Sequence, residues 1–158
     1  MTPRLDFAHI APKPYEALIS LETYLSRCDI ERALIDLVKL RASQINGCAF
    51  CIDMHWKDAR ARGEKEQRLY GLDAWREAPY YSARERAALA WTEAVTRIAD
   101  THAPDAIYSD VREQFSEKEL VDLTYVITAI NAWNRLAISF RMEAGSYKVQ
   151  EPHAVGAS

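Results

Sequence analysis

The sequence predicts an all-α fold, and three observations support this. Apolar residues in the long segments recur at spacings of three and four, which is the repeat of one helix face. Two segments begin with a capping box, Ser82-Ala83-Arg84-Glu85 and Ser116-Glu117-Lys118-Glu119. The chain has only five Gly and six Pro, which is few for the turns of an all-β fold, and no strand-type alternation is present. We therefore expect the 158 residues to form one helical domain, residues 1–158, around one core.

Seven helices are predicted after an irregular, proline-containing arm of fourteen residues. They span residues 15–27, 30–44, 48–62, 64–78 with a break at Gly71, 82–98, 105–114 and 116–141. Pro14 precedes the first helix, because proline is well tolerated at a helix start. Asp29 is expected to cap the second, and the Asn46-Gly47 pair to end it. Gly63 is expected to close the third as its C′ residue.

The last predicted helix is strongly apolar between Leu120 and Phe140. Such a helix has more apolar surface than one subunit can cover, so we expect a homo-oligomer. The chain turns polar from Glu143, and this tail is expected to be loosely held.

Composition and charge exclude several classes of protein. The net charge of −3 leaves no basic excess to neutralise phosphates, so nucleic acid is not an expected partner. No stretch approaches the ~18 consecutive apolar residues of a membrane span, and residues 1–14 hold no apolar signal core. We therefore expect a cytoplasmic protein without a membrane partner. A purely structural disulfide is not expected there, because cytosolic thiols are normally kept reduced.

Two of the three cysteines form a CxxC pair at the start of a predicted helix. Cys48, Cys51 and His55 occupy relative positions 0, +3 and +7, which lie along one helix face. Residues three apart in a helix have Cα atoms roughly 5 Å apart, within the range that a disulfide accepts. The two cysteines can therefore pass between dithiol and disulfide with little backbone motion.

The helix start also favours thiolate over thiol, because unpaired N–H groups and the positive end of the dipole lie there. Lowering a cysteine pKa from about 8.5 to about 6.5 raises the thiolate fraction at pH 7 about 25-fold. The accompanying loss of nucleophilicity leaves only about a threefold gain. A peroxide substrate would additionally need a proton for its departing oxygen, and His55 is the natural donor. Asp36, on the preceding helix, is the candidate acid that orients His55.

These residues resemble a known motif. The stretch Leu34–Arg60, LIDLVKLRASQINGCAFCIDMHWKDAR, is similar to the core motif of the AhpD-like branch of the carboxymuconolactone decarboxylase superfamily. That motif has an acidic residue twelve positions before a CxxC and a histidine four positions after its second cysteine. The later stretches AWREAPYYSARERAALAWTEAV and NAWNRLAISFR also resemble this family, so the resemblance covers most of the chain.

The resemblance implies an all-helical subunit that assembles into trimers or hexamers and carries a thiol-dependent hydroperoxidase site. It implies that Cys51 attacks the peroxide, that Cys48 resolves the sulfenic acid as a disulfide, and that His55 and Asp36 relay protons. An external dithiol resets the pair, and no cofactor or metal is expected. Helix geometry alone would instead favour Cys48 as the more exposed and more acidic thiolate.

Two positions depart from the family pattern. The family acid is usually Glu, and Asp36 is one methylene shorter, so its contact with His55 would need a water molecule or would be lost. AhpD itself has a histidine between its cysteines, where this chain has Phe50. The decarboxylase branch generally lacks the CxxC, so the pair argues against decarboxylation.

Several alternatives remain open at this point. The cysteines and His55 could hold Zn²⁺, with Asp36 or water as the fourth ligand. The protein could instead be a disulfide reductase that passes electrons to a separate peroxidase, or a non-catalytic helical scaffold. Cys28 is expected to be a buried small side chain rather than a redox partner. The tryptophans on apolar helix faces are expected in the core or a subunit interface rather than at the substrate; they are Trp75, Trp91 and Trp133.

Overall fold

The computed structural model describes residues 2–149, and all regular secondary structure in that range is helical. In chain order the elements are α1 (Phe7–Ile10), α2 (Pro12–Leu25), α3 (Arg32–Asn46), α4 (Ala49–Ala61), α5 (Glu66–Tyr70), a 3-10 helix (Gly71–Ala74), α6 (Ala83–Thr96), α7 (Ile98–Thr101), α8 (Asp105–Gln114) and α9 (Glu117–Phe140). The predicted all-α class is confirmed.

Both predicted capping boxes are present. The backbone N–H of Glu85 donates to Ser82 Oγ at 3.2 Å, and the Glu85 carboxylate accepts from the Ser82 N–H at 2.7 Å. Ser116 and Glu119 repeat this arrangement at 3.3 and 2.8 Å. These reciprocal bonds satisfy N–H groups that have no partner inside the helix, and they set the start points of α6 and α9.

The helix boundaries differ from the prediction mainly in the first third of the chain. The arm contains the short helix α1, which is too brief for a periodic pattern to reveal. Helix α2 begins at Pro12 rather than after Pro14, because the missing proline N–H costs nothing in a first turn. The predicted N-cap Asp29 is wrong: Glu31 precedes α3 and makes no side-chain capping bond. Helix α3 ends at Gly47, whose φ of +69° places it in the left-handed region.

Helix α3 is the central element, and it contacts α4, α6 and α9. All its residues from Leu34 to Ser43 are buried, including the charged Asp36, Lys39 and Arg41. One core cluster fills the space between α3, α6, α8 and α9, and a second lies between α3, α4 and the region around Trp75. A charged side chain on α3 must therefore find a partner inside the protein.

The two terminal segments are held by different helices, the arm by the end of α9 and the tail by α4. The backbone N–H of Arg4 donates to the Phe140 carbonyl at 3.0 Å, and the Phe7 ring lies 5.4 Å from the Phe140 ring. In the tail, Tyr147 Oη donates to Asp58 at 2.8 Å. The prediction of a loosely held tail is therefore wrong for residues 143–149, and residues 150–158 lie outside the described range.

Between residues 2 and 149, no helix combines the length and the apolarity that a membrane span needs.

Candidate functional site

The two cysteines lie at the start of α4 and are joined by a disulfide. Cys48 is the N-cap residue, directly after the left-handed turn at Gly47, and its N–H donates to the Ser43 carbonyl at 3.0 Å. Cys51 lies in the first turn of the helix, with its Cα atom 5.3 Å from that of Cys48. The spacing argument predicted this Cα distance and the position at the helix start.

The sulfur atoms differ in what surrounds them. Both residues are buried, with Cys48 1% and Cys51 2% exposed, and both pack against Ala137 of α9. Cys51 lines a cavity of about 390 Å³, whereas Cys48 does not. The geometric expectation that Cys48 is the more exposed cysteine is therefore wrong, because α9 covers the helix start. Only Cys51 faces the space that a small molecule could enter.

The cavity lies between α2, α3, α4 and α9, and residues of the two terminal segments, Phe7, Met142 and Tyr147, also line it. Aromatic side chains form much of its wall: Phe7, Tyr15, Phe50, Trp133 and Tyr147. Trp133 was expected in the core or an interface, so its position at this cavity is a correction. Its ring N–H donates to Glu22 Oε1 at 3.1 Å. Trp75 and Trp91 are buried in the core, as predicted.

His55 follows Cys51 by one helical turn and lines the same cavity. It is 6% exposed, and its Nε2 has no hydrogen-bond partner within residues 2–149. Burial lowers the pKa of His55 to about 3, and the positive charges of Lys39, Arg32 and Arg62 add to this effect. The imidazole is therefore neutral at physiological pH, with a buried nitrogen directed at no protein group.

Asp36 does not contact His55. Its carboxylate accepts two hydrogen bonds from Arg62 Nη1, at 2.9 and 2.8 Å, and lies 3.7 Å from Arg32 Nε. The sequence left open a direct contact with His55, a water-mediated one or none, and no hydrogen bond or ion pair joins Asp36 to His55 in the described part of the chain. The reason is competition, since two guanidinium groups lie closer to the buried carboxylate. Burial raises the pKa of Asp36, and the charges of Arg62 and Arg32 offset this only in part.

A different acidic residue lines the cavity. Glu22 of α2 accepts a hydrogen bond from Nζ of Lys39, a side chain on α3 that is 7% exposed. Sequence reasoning missed this pair, because the two residues are seventeen positions apart on different helices. One signal was available: Lys39 lies directly between the apolar residues Val38 and Leu40, in a helix rich in Leu, Ile and Val, where an unpaired ammonium group would be costly.

A small amide network joins α3 to α9 beside the cysteines. Asn134 Nδ2 donates to Ser43 Oγ at 3.0 Å, and Asn46 Nδ2 donates to the side-chain oxygens of Asn134 and Asn131 at 2.8 and 3.0 Å. The network holds the end of α3, and thus the turn that carries Cys48, against α9.

The described residues contain no arrangement that suits the metal-site alternative. Within residues 2–149, no three His, Cys, Asp or Glu side chains are arranged to hold a metal ion. Cys28 is a free, half-buried thiol packed against the larger core cluster.

Comparison with known proteins identifies the family. The sequence profile of the carboxymuconolactone decarboxylase family matches residues 12–94, which include α2 to α4 and the CxxC. The chain belongs to this family. It is 44% identical to the uncharacterized protein YdfG of Bacillus subtilis (strain 168), over 92% of this chain and 99% of YdfG.

Solved structures agree with this assignment. A protein of unknown function from Agrobacterium tumefaciens, whose name links it to the antioxidant defence protein AhpD, has a TM-score of 0.89 and 44% identity, over 92% of this chain and all of that one. An AhpD-core, peroxidase-related protein from Ralstonia eutropha JMP134 has the same fold, with a TM-score of 0.77 at 19% identity, over 89% and 74% of the two chains. The AhpD-like resemblance seen in the sequence is confirmed.

Proposed function

We propose that this family member reduces organic hydroperoxides with Cys51 and Cys48 and is reset by an external dithiol. The observation that carries the proposal is that Cys51 and His55 line the same cavity, while Cys48, which is joined to Cys51 by the disulfide, does not line it. A nucleophile, a neutral proton carrier and a resolving thiol thus lie within two turns of one helix, with Cys51 one turn from each of the other two. The aromatic wall favours a substrate with an apolar body.

The reaction runs in two steps from the reduced protein. The thiolate of Cys51 attacks the outer oxygen of the hydroperoxide; an S–O bond forms, the O–O bond breaks, and an alcohol leaves. The thiol of Cys48 then attacks the sulfenic acid, which forms the disulfide and releases water. Each turnover oxidises two thiols by two electrons and reduces one hydroperoxide. The external dithiol returns these electrons by thiol–disulfide exchange.

His55 carries the proton in the first step. The departing oxygen leaves as an alkoxide, whereas the attacked oxygen keeps its own proton and becomes part of the sulfenic acid. The alkoxide receives the proton that Cys51 loses when its thiolate forms: the neutral imidazole accepts that proton at its unpartnered Nε2 and passes it to the alkoxide. The surroundings that lower the pKa of His55 make its protonated form a strong acid, which suits donation to a leaving group. Asp36 remains in the proposed site as a positioning residue, since it holds Arg62 and Arg32, whose charges act on His55.

The test is peroxide consumption by the fully reduced protein, with the Cys28→Ser variant as the working form. This substitution removes the one thiol outside the pair without touching the cavity. We expect one equivalent of cumene hydroperoxide to be consumed per chain, with a mass loss of two hydrogens localised to Cys48 and Cys51. A reduced protein that leaves the peroxide intact yet reduces a protein disulfide would overturn the proposal in favour of an electron-transfer adaptor.

A further inference from the structure

We infer that Lys39 is the cation that stabilises the Cys51 thiolate in the reduced protein, and that Glu22 weakens this effect through its ion pair with Lys39. The inference deepens the proposed function and rests on it, because it concerns the nucleophile of that same site. It assigns a role to two residues, on α2 and α3, that lie outside the CxxC helix.

His55 does not supply the positive charge that would favour a thiolate at Cys51. A histidine near a reactive cysteine commonly supplies the positive charge that favours the thiolate. Here the burial of His55 and the cations around it lower its pKa to about 3, so the imidazole is neutral when a cysteine would ionise. The charge that favours the thiolate must therefore come from another group.

Two cationic side chains belong to the cavity wall. Lys39 and Arg32 both line it, but Arg32 has a side chain that is 43% exposed and lies 3.7 Å from the Asp36 carboxylate. The Lys39 side chain is 7% exposed, and its charge acts on His55 more strongly than those of Arg32 and Arg62. Lys39, Cys51 and His55 line the same cavity of about 390 Å³, so the ammonium charge acts across this space on the sulfur that faces it.

The helix start and Lys39 act on different cysteines. The helix start favours a thiolate at Cys48, whose sulfur accepts the N–H of Cys51 at 3.3 Å. This effect does not favour a thiolate at Cys51, the cysteine that lines the cavity. Lys39 lies on the cavity side, where only Cys51 of the pair is found. The ammonium group thus favours ionisation at the cysteine that can meet a substrate.

The remaining titratable groups at the cavity do not replace Lys39. Asp58 of α4 is an acidic side chain rather than a cation, and it accepts a hydrogen bond from Tyr147. Burial and this bond raise the pKa of Tyr147 to about 12, so the phenol stays neutral. Tyr15 of α2 is the other phenol of the wall. Glu22 is the negative group held against Lys39, so neutralising it should strengthen the positive potential at Cys51.

The experiment measures the pKa of Cys51 alone. In a Cys28→Ser/Cys48→Ser background, the only remaining thiol is titrated by its rate of reaction with iodoacetamide and by thiolate absorbance near 240 nm. Lys39→Met should raise the pKa of Cys51 by about one unit or more, and Lys39→Arg should stay near the background value. Glu22→Gln, which is nearly isosteric and keeps an acceptor for Trp133, should lower it.

Lys118→Met is the matched control, because it removes one positive charge near the start of α9. Lys118 precedes Ala137, which packs on the cysteines, by nineteen helical residues, or about 28 Å along the axis. It should leave the pKa of Cys51 unchanged.

Two results would overturn the inference: an unchanged Cys51 pKa in Lys39→Met, or a rise in His55→Gln as large as that in Lys39→Met. Should Lys39→Met not fold, the sign of the Glu22→Gln shift decides, and a rise or no change refutes the role. The titration needs no peroxide. A protein that shows these shifts but consumes no peroxide would refute the proposed function and leave the assignment of Lys39 standing.

Discussion

The backbone N–H of Cys51 donates a hydrogen bond to the sulfur of Cys48 at 3.3 Å. This bond holds the Cys48 sulfur at the helix start, under α9, while the Cys51 sulfur faces the aromatic cavity. The two cysteines are therefore unequal even though both are buried. Substrate access points to Cys51 as the attacking residue and to Cys48 as the residue that closes the disulfide.

The first prediction follows from that inequality. Cys51→Ser should abolish peroxide consumption, because neither Cys48 nor Cys28 lines the cavity. Cys48→Ser should allow one slow turnover and leave a sulfenic acid at Cys51, detected by dimedone labelling and mass analysis. The opposite pattern, an inert Cys48→Ser and a Cys51→Ser that reacts once, would reverse the roles.

The second prediction concerns stability and pH in the oxidised protein. Unfolded His55 binds a proton below its ordinary pKa of 6.5, whereas folded His55 stays neutral down to about pH 3. Folding stability is therefore lost as the pH falls through this window. Between pH 7 and pH 5, wild type should lose about 2 kcal/mol more free energy of unfolding than His55→Gln.

Urea unfolding at both pH values measures this difference. His9→Gln, which replaces an exposed histidine on α1, is the control and should follow wild type. Equal losses in wild type and His55→Gln would show that His55 titrates normally in the folded protein. The neutral proton carrier of the proposed mechanism would then be wrong.

The pattern within one helix was enough to predict the CxxC geometry. Cys48, Cys51 and His55 lie within eight residues, so the helical repeat alone sets their relative positions. The capping boxes are equally local, since Ser82 and Glu85 satisfy each other's N–H groups within one turn. Such features depend on neighbours in sequence, and the structure reproduces them.

Contacts between helices were not predictable in this way. Asp36 was expected to reach His55, but which carboxylate meets which cation depends on how α3 packs against the end of α4. There Arg62 is closer to Asp36. The Glu22–Lys39 pair depends similarly on how α2 crosses α3. A single sequence carries a hint of burial at Lys39 but none of its partner.

The third prediction concerns Asp36 as a positioning residue. Burial raises the pKa of its carboxyl group, so the charged form is not a net source of stability. Asp36→Asn should therefore stay within about 1 kcal/mol of wild type, and should gain relative stability as the pH rises above 3.8, the ordinary value for Asp. The loss of negative charge leaves Arg62 and Arg32 uncompensated beside His55. Disulfide formation with excess peroxide should slow by about threefold to tenfold.

Rates between pH 5.5 and pH 8.5 for wild type and Asp36→Asn provide the measurement. A rate that matches wild type across this range would make Asp36 an ordinary helix residue. The proton relay would then involve His55 without help from the Arg62 ion pair.

The last prediction concerns assembly. Val121 and Tyr125 lie one turn apart on the outer face of α9 and are 54% and 51% exposed; Tyr108 of α8, at 48%, borders them. With Trp91 and Leu120 they line a groove of about 440 Å³. Apolar side chains clustered at this exposure are typical of a surface that another subunit covers. We expect a trimer or hexamer at micromolar concentration, with a mass three or six times the 18.0 kDa of the chain.

Tyr125→Glu would place a charge in the centre of that surface and should shift the assembly toward monomer by at least about tenfold in dissociation constant. Ile10→Glu is the matched control, because Ile10 is also an exposed apolar residue, at 63%, but belongs to α1 beside the opposite end of α9. Multi-angle light scattering distinguishes the outcomes. A wild-type mass near 18 kDa would refute the oligomer, and equal masses for Tyr125→Glu and wild type would place the interface on another face.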